Sequence, residues 1–256
     1  MMRNRARPEN PAEAAMLRMI LIYLAVFIYF VPLGLPALLL VWLVGLFAPK
    51  VKDRLAYAYG RNIAMSVLFL SGSRVTVLGE ENIPTGRPVL FISNHRGIAD
   101  IFCALKVVKS DCCFISKQEW GKIPLLRDWM KAMHCIFLDR SSARSGLAVY
   151  RKACEALAGG SSIWVCPEGT RAHDEQLLHF KEGSFRPAFQ TGVPILPVTF
   201  VHTDDMYELH KPFFRPAQIT VSFGKCVETQ DLSRQDHREL AERIREDIQR
   251  TYDTLV

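Results

Sequence analysis

Two residues of complementary acid–base chemistry, His95 and Asp100, stand five positions apart in the stretch Asn94-His95-Arg96-Gly97-Ile98-Ala99-Asp100. Histidine has the ordinary side-chain pKa nearest neutrality, which suits it to take a proton from a bound hydroxyl. On a regular helix five positions turn through about 140°, so the pair does not share a helical face. The spacing works when His95 occupies a turn and Asp100 the first turn of a following helix, where the positive helix end favours an ionised carboxylate. Asp100 then accepts the Nδ1 proton and leaves Nε2 free as a base. No serine or cysteine completes a triad in this stretch, and a substrate hydroxyl can fill that role without a covalent enzyme intermediate. A bare H-x-x-x-x-D is also what a surface histidine beside a helix-capping aspartate looks like.

A second cluster is Val165-Cys166-Pro167-Glu168-Gly169-Thr170-Arg171, followed by Phe180-Lys181-Glu182-Gly183. Gly169 permits close approach of backbone to a ligand. Arg171 offers a planar fork, and Lys181 a mobile point charge, for a phosphate group. Arg140 follows the run Cys135–Asp139, and Lys117 follows Cys112–Ser116. Four cations at the ends of successive strands can surround one anionic head group. The plainer alternative makes Glu168 and Arg171 a solvated ion pair and each cation ordinary surface charge.

Elements able to position these residues are visible in the hydrophobic pattern. Compact apolar runs predict strands at Arg74–Leu78, Val89–Ser93, Cys112–Ser116, Cys135–Leu138, Ile163–Cys166, Ile195–Val201 and Ile219–Phe223. Helical spacing predicts helices at Ile98–Val108, Leu125–Met133, Ala143–Leu157, Ser184–Gln190 and Asp236–Tyr252, with an amphipathic helix over Val51–Leu70 leading into them. The alternation predicts an α/β fold, one sheet with helices packed on its faces. Both chemical clusters fall directly after predicted strands.

The N-terminal region differs. No charged side chain occurs between Arg18 and Lys50, and nearly every residue is aliphatic or aromatic. A bilayer-spanning helix needs about 20 residues, so the run is long for one pass and short for two. Pro32, Gly34 and Pro36 interrupt it, which predicts two short apolar helices, Met19–Val31 and Ala37–Phe47. Arg3, Arg5, Arg7 and Arg18 precede the run and Lys50, Lys52, Arg54 and Arg61 follow it; basic flanks on both sides favour a cytoplasmic location for both ends. The expected organisation is a basic tail (1–18), an apolar broken-helix hairpin in one leaflet (19–50) and a catalytic domain (51–256). A single tilted span and a secretory signal are the alternatives.

The formal net charge of the 256 residues is +6, suited to an anionic partner, yet no dense basic patch with interleaved aromatics points to nucleic acid. Seven scattered cysteines (Cys103, Cys112, Cys113, Cys135, Cys154, Cys166 and Cys226) form no paired C-x-x-C pattern and read as free thiols in a reducing compartment.

With these residues in view, the sequence resembles the glycerolipid acyltransferases typified by bacterial 1-acyl-glycerol-3-phosphate acyltransferase. Four blocks match in order: Asn94-His95 to Asp100, Ile136-Phe137-Leu138-Asp139-Arg140, Pro167-Glu168-Gly169-Thr170-Arg171, and Val193-Pro194-Ile195-Leu196-Pro197-Val198. The resemblance implies a mixed sheet preceded by a two-helix membrane motif, and a catalytic dyad of His95 and Asp100. It implies acceptor binding by Arg140, Glu168, Gly169, Thr170 and Arg171, with Lys117 and Lys181 as weaker carry-overs. Cys166 stands where the family commonly has an aromatic residue. The implied reaction moves a fatty acyl group from acyl-CoA or acyl carrier protein onto the hydroxyl of a lysophospholipid. Lysophosphatidic acid is the first expectation for the acceptor, with another lysolipid such as lyso-ornithine lipid, or glycerol 3-phosphate, as alternatives. No metal or cofactor is implied; the partners are the bilayer and the two substrates, at the cytoplasmic face of a membrane, the inner one if the source is bacterial. Backbone N–H groups near the helix start or at Gly169 are expected to face the oxyanion. Two other classes compete: a lipid hydrolase, for which Ser93 or Cys166 would be the nucleophile although no G-x-S-x-G elbow is present, and a membrane-anchored lipid-binding protein without catalysis.

Overall fold

The computed structural model describes residues 11–108, 112–139, 141–172, 174–230 and 232–256. Arg140, one of the expected acceptor-binding cations, lies outside the described residues, as does the start of the basic tail.

All seven predicted strands are present: β1 (Arg74–Leu78), β2 (Leu90–Ser93), β3 (Cys112–Lys117), β4 (Ile136–Leu138), β5 (Ser162–Val165), β6 (Ile195–Val201) and β7 (Gln218–Phe223). They form one sheet in the order β1-β7-β6-β2-β5-β3-β4. The pairing of β6 with β7 is antiparallel and the others are parallel, so the sheet is mixed. The central strands β2, β5 and β6 are buried at every residue, which is why their sequences are predominantly apolar rather than alternating, with Ser93, Ser162 and Thr199 the polar exceptions. At the sheet edge, β1 alternates between exposed and half-buried residues.

Helices cover both faces. On one, α3 (Pro49–Ser71) and α4 (Ala99–Val107) pack over an aromatic layer in which Phe91, Trp164 and Phe200 stack at centroid distances of 4.8 Å and 5.6 Å. On the other, α6 (Ala143–Ala158), α7 (Arg186–Thr191) and α8 (Arg234–Leu255) cover Leu90, Ile92, Ile163 and Ile195. Helix α8 starts two residues earlier than the periodicity predicts because Ser233 and Asp236 form a reciprocal capping box. The short helix α5 (Leu126–Ala132) lies between β3 and β4 in the chain.

The N-terminal apolar run departs from the expected hairpin. It forms α1 (Pro11–Phe30) and α2 (Gly34–Gly45), so the helix begins inside the stretch read as a basic tail. The helical ladder carries through the break, with Val31 N–H bonded to Phe27 O at 2.9 Å and Ala37 N–H to Leu33 O at 3.1 Å. Proline removes a donor and crowds the previous turn, which kinks a helix without necessarily reversing it. Pro32 and Pro36 therefore mark a bend, and the chain turns back later, at Phe47–Ala48, to enter α3. Both α1 and α2 lie along α3, joined by the Tyr29 hydroxyl at 3.0 Å from Ser66 Oγ and by Tyr59 Oη donating to Tyr29 O at 2.6 Å. Their other surface is apolar and exposed, including Leu17, Leu24, Phe27, Leu39, Leu40 and Trp42, and Phe47 in the turn after α2 is exposed as well.

Candidate functional site

β2 ends at Ser93, and the next residue seals that end. Asn94 is fully buried; its Oδ1 accepts from Phe200 N–H at 2.7 Å and its Nδ2 donates to Phe200 O at 2.9 Å, continuing the ladder to β6 through a side chain. His95 is thereby launched from a fixed point. Asp100 sits in the first turn of α4, as the five-residue spacing predicts, with its side chain 1% exposed. Its Oδ2 accepts from His95 Nδ1 at 2.7 Å, from Arg96 N–H at 2.8 Å and from Gly97 N–H at 3.0 Å. An ionised carboxylate can only accept, so Nδ1 carries the imidazole proton and Nε2 holds the lone pair. The His95 side chain is 17% exposed, enough for a ligand to reach it.

The second cluster closes on this turn because β5 is the parallel neighbour of β2 and both deliver their C-terminal ends to the same side, where open α/β sheets bind ligands. Glu168 is buried. Its Oε1 accepts from His95 N–H at 2.8 Å and its Oε2 from Leu178 N–H at 3.1 Å, while Ala172 N–H donates to His95 O at 2.9 Å. Both carboxylate oxygens of Glu168 thus accept from backbone amides, one of them holding the histidine turn at His95. Burial pushes its carboxyl pKa up, and the His95 and Leu178 amides pull it part of the way back.

Gly169 adopts φ +73°, and a Cβ built there would meet Lys181 Nζ at 2.6 Å, so the ammonium group lies against the glycine. Thr170 is exposed and Arg171 half-buried beside them. Arg171 Nη1 lies 3.1 Å from Glu208 Oε1. His95, Asp100, Glu168, Gly169, Thr170, Arg171 and Lys181 therefore gather at one end of the sheet. Lys117, at the end of β3, is two strands away from β2, half-exposed and paired with Glu119 at 3.0 Å.

The backbone donors expected to face an oxyanion are committed elsewhere. Arg96 and Gly97 N–H serve Asp100, Ile98 N–H donates to Glu208 at 3.0 Å, and Gly169 N–H closes a turn onto Cys166 O at 3.1 Å. Ser93 Oγ accepts from Trp164 Nε1 at 2.8 Å and lies 3.5 Å from Cys166 Sγ. Among the described residues no hydrogen bond joins His95 to the Ser93 hydroxyl, which the Trp164 indole engages instead. Nor does any group of three or more His, Cys, Asp or Glu among them stand ready to hold a metal.

Sequence reasoning missed a layer behind the turn. Arg96 is buried, bonded to Asp204 at 2.6 Å and to Asp174 O, with its guanidinium 5.2 Å from the centre of the Tyr252 ring. Arg96, Asp204 and Glu208 were legible only as polar residues near strand ends; the position of Asp204 and Glu208 just after β6 was the available signal.

The sequence pattern of the Acyltransferase family matches residues 74–201, which contain the histidine turn and the Glu168–Arg171 cluster. The chain belongs to the acyltransferase family. Among named relatives of this chain, human 1-acyl-sn-glycerol-3-phosphate acyltransferase alpha is 31% identical over 188 residues, covering 72% of this chain and 66% of that protein. The 1-acyl-sn-glycerol-3-phosphate acyltransferase of Borreliella burgdorferi is 29% identical over 202 residues, covering 79% and 81%. The crystal structure of the 1-acyl-sn-glycerophosphate acyltransferase PlsC from Thermotoga maritima superposes with a TM-score of 0.83 at 27% identity, covering 96% of this chain and 98% of that one. The chain spans about two thirds of the human relative's length. Its likeness to the Thermotoga structure extends over α1 and α2 as well as the sheet, since 96% of its residues are covered.

Proposed function

We propose that this protein is an O-acyltransferase that esterifies the free hydroxyl of 1-acyl-glycerol 3-phosphate to give phosphatidic acid. The observation that carries the reading is the His95–Asp100 pair, with Nδ1 committed to a buried carboxylate and Nε2 open, beside Arg171 and Lys181. The names of the human and Borreliella relatives supply the acceptor's identity.

The reaction is a single displacement. Nε2 of His95 takes the acceptor hydroxyl proton as the oxygen attacks the thioester carbonyl of acyl-CoA or acyl carrier protein. An ester C–O bond forms and the C–S bond breaks. The proton on Nε2 passes to the departing thiolate, and Asp100 stabilises the imidazolium in between. Arg171 and Lys181 hold the acceptor phosphate by charge-assisted hydrogen bonds. The apolar outer surface of α1 and α2 rests in the bilayer, and the basic residues flanking the run keep the domain at the cytoplasmic face.

The test is acyl transfer by the full-length chain in isolated membranes, offered lysophosphatidic acid, glycerol 3-phosphate and lyso-ornithine lipid with acyl-CoA and with acyl carrier protein donors. Transfer to lysophosphatidic acid is expected. Tight lysolipid binding with no transfer from either donor to any acceptor would overturn the reading in favour of a binding protein.

A further inference from the structure

Glu208 belongs to neither sequence cluster, yet it touches both. It lies on the segment after β6 with its side chain 4% exposed, far from the sequence of the residues it meets. A buried carboxylate is expensive unless charge and hydrogen bonds compensate it, so its partners indicate what it is for. One oxygen, Oε1, accepts from Ile98 N–H at 3.0 Å and forms an ion pair with Arg171, whose Nη1 lies 3.1 Å away. Ile98 is the last residue of the turn between His95 and α4; Arg171 is the cation proposed for the acceptor phosphate. The remaining oxygen, Oε2, is buried without a hydrogen-bond partner among the described residues, and a Cβ on Gly97 would stand 2.3 Å from it. Gly97 is therefore what lets the carboxylate come this close to the turn.

We infer that Glu208 is a positioning residue: a single carboxylate oxygen ties the turn that carries the histidine base to the guanidinium that receives the acceptor phosphate, and so sets the distance between them. The inference rests on the proposed acyl transfer to a phosphorylated acceptor. Its physical basis is the shape of the guanidinium, a rigid plane with five donors, in which anchoring Nη1 inward fixes the direction of the edge left for phosphate. Without the anchor Arg171 keeps its charge and loses its aim. The segment bearing Glu208 is itself braced against the apolar N-terminal helix. Tyr207 stacks on Phe214 at 4.6 Å between centroids, and Phe214 meets Tyr23 of α1 edge-on at 6.1 Å.

The test compares the full-length protein with Glu208→Gln, Arg171→Ala and the double variant, measuring kcat and KM with lysophosphatidic acid and with monoacylglycerol, which lacks the phosphate. Glutamine is nearly isosteric and still offers an oxygen to Ile98 N–H, so the fold is retained while the ion pair is lost. We expect Glu208→Gln to raise KM for lysophosphatidic acid about tenfold, more than it lowers kcat, and to leave KM for monoacylglycerol unmoved. In the Arg171→Ala background the same substitution should add nothing, because Glu208 acts through Arg171. An unchanged KM for lysophosphatidic acid, or an equal rise for both acceptors, or full additivity with Arg171→Ala, would overturn the inference. Failure of the wild-type chain to transfer acyl groups at all would instead count against the proposed function.

Discussion

The two halves of the strand-end surface are built differently. Where β2, β5 and β6 end, the His95 ring, its backbone N–H and O, both oxygens of Glu168 and one of Glu208 are held by named contacts, while Asp100 Oδ1, Arg96 Nε, Thr203 Oγ1 and Glu208 Oε2 are buried without a hydrogen-bond partner among the described residues. Where β3 ends, Lys117 is 49% exposed and its partner, Glu119, is equally open to solvent. A pair of that kind is worth little and rearranges freely. The difference teaches how the work is divided. In the proposed mechanism the buried half fixes the histidine turn in advance, so little reorganisation remains when charge develops. The open half can follow a substrate of variable shape.

Substitutions test that division, and the largest effect belongs at its centre. His95→Ala should lower kcat about 1,000-fold or more while circular dichroism and membrane association stay as in wild type, because a general base contributes about 10²–10⁴; near-normal turnover would remove the mechanism. Asp100→Asn should follow with a loss of about 100-fold. Its amide cannot accept from the imidazole and both backbone donors at one oxygen, so the ring loses its orientation and the proton its assigned nitrogen. Glu168→Ala should act on stability first, since it strands the amides of His95 and Leu178, at about 1–3 kcal/mol for each buried group left unpaired. Urea unfolding in detergent reads that loss. Lys117→Ala, on the open side, should change KM by only about threefold. If it cost as much as Asp100→Asn, the contrast between the two halves would fail.

A pH series sharpens the same contrast. Burial pushes the Glu208 carboxyl upward, opposed by the bond from Ile98 N–H and the charge of Arg171. A carboxyl raised in the folded state stabilises fully below its unfolded pKa, and that contribution is lost as pH rises through the folded value. Glu208→Gln removes the titration. Its melting temperature relative to wild type should therefore improve as pH rises above the ordinary carboxyl range of about 4, whereas Glu119→Gln, on the exposed side, should show no such upward drift.

Much of the sheet and the histidine turn could be read from the residues because their causes are local. Runs such as Leu90-Phe91-Ile92 are apolar throughout because both sheet faces are covered, and the five-residue interval from His95 to Asp100 suits one turn followed by one helical start. The bend between α1 and α2 was not readable in this way. Proline reports a missing donor, and whether the chain kinks or reverses there depends on what it packs against, here Tyr59 and Ser66 of α3. That both oxygens of Glu168 accept from backbone amides was not readable from its block, because those partners, His95 and Leu178, are set by the fold. Glu208 was harder still. Its contact with Ile98 spans 110 positions, and nothing in a polar segment after a strand states which distant amide it will find.

Asn94 has a consequence in time as well as in space. Because its amide group bonds both the N–H and the C=O of Phe200, the Phe200 proton cannot meet solvent until that side chain lets go. Its hydrogen-exchange rate is then a clock on how often the root of the histidine turn opens, readable in the resting protein with no substrate added.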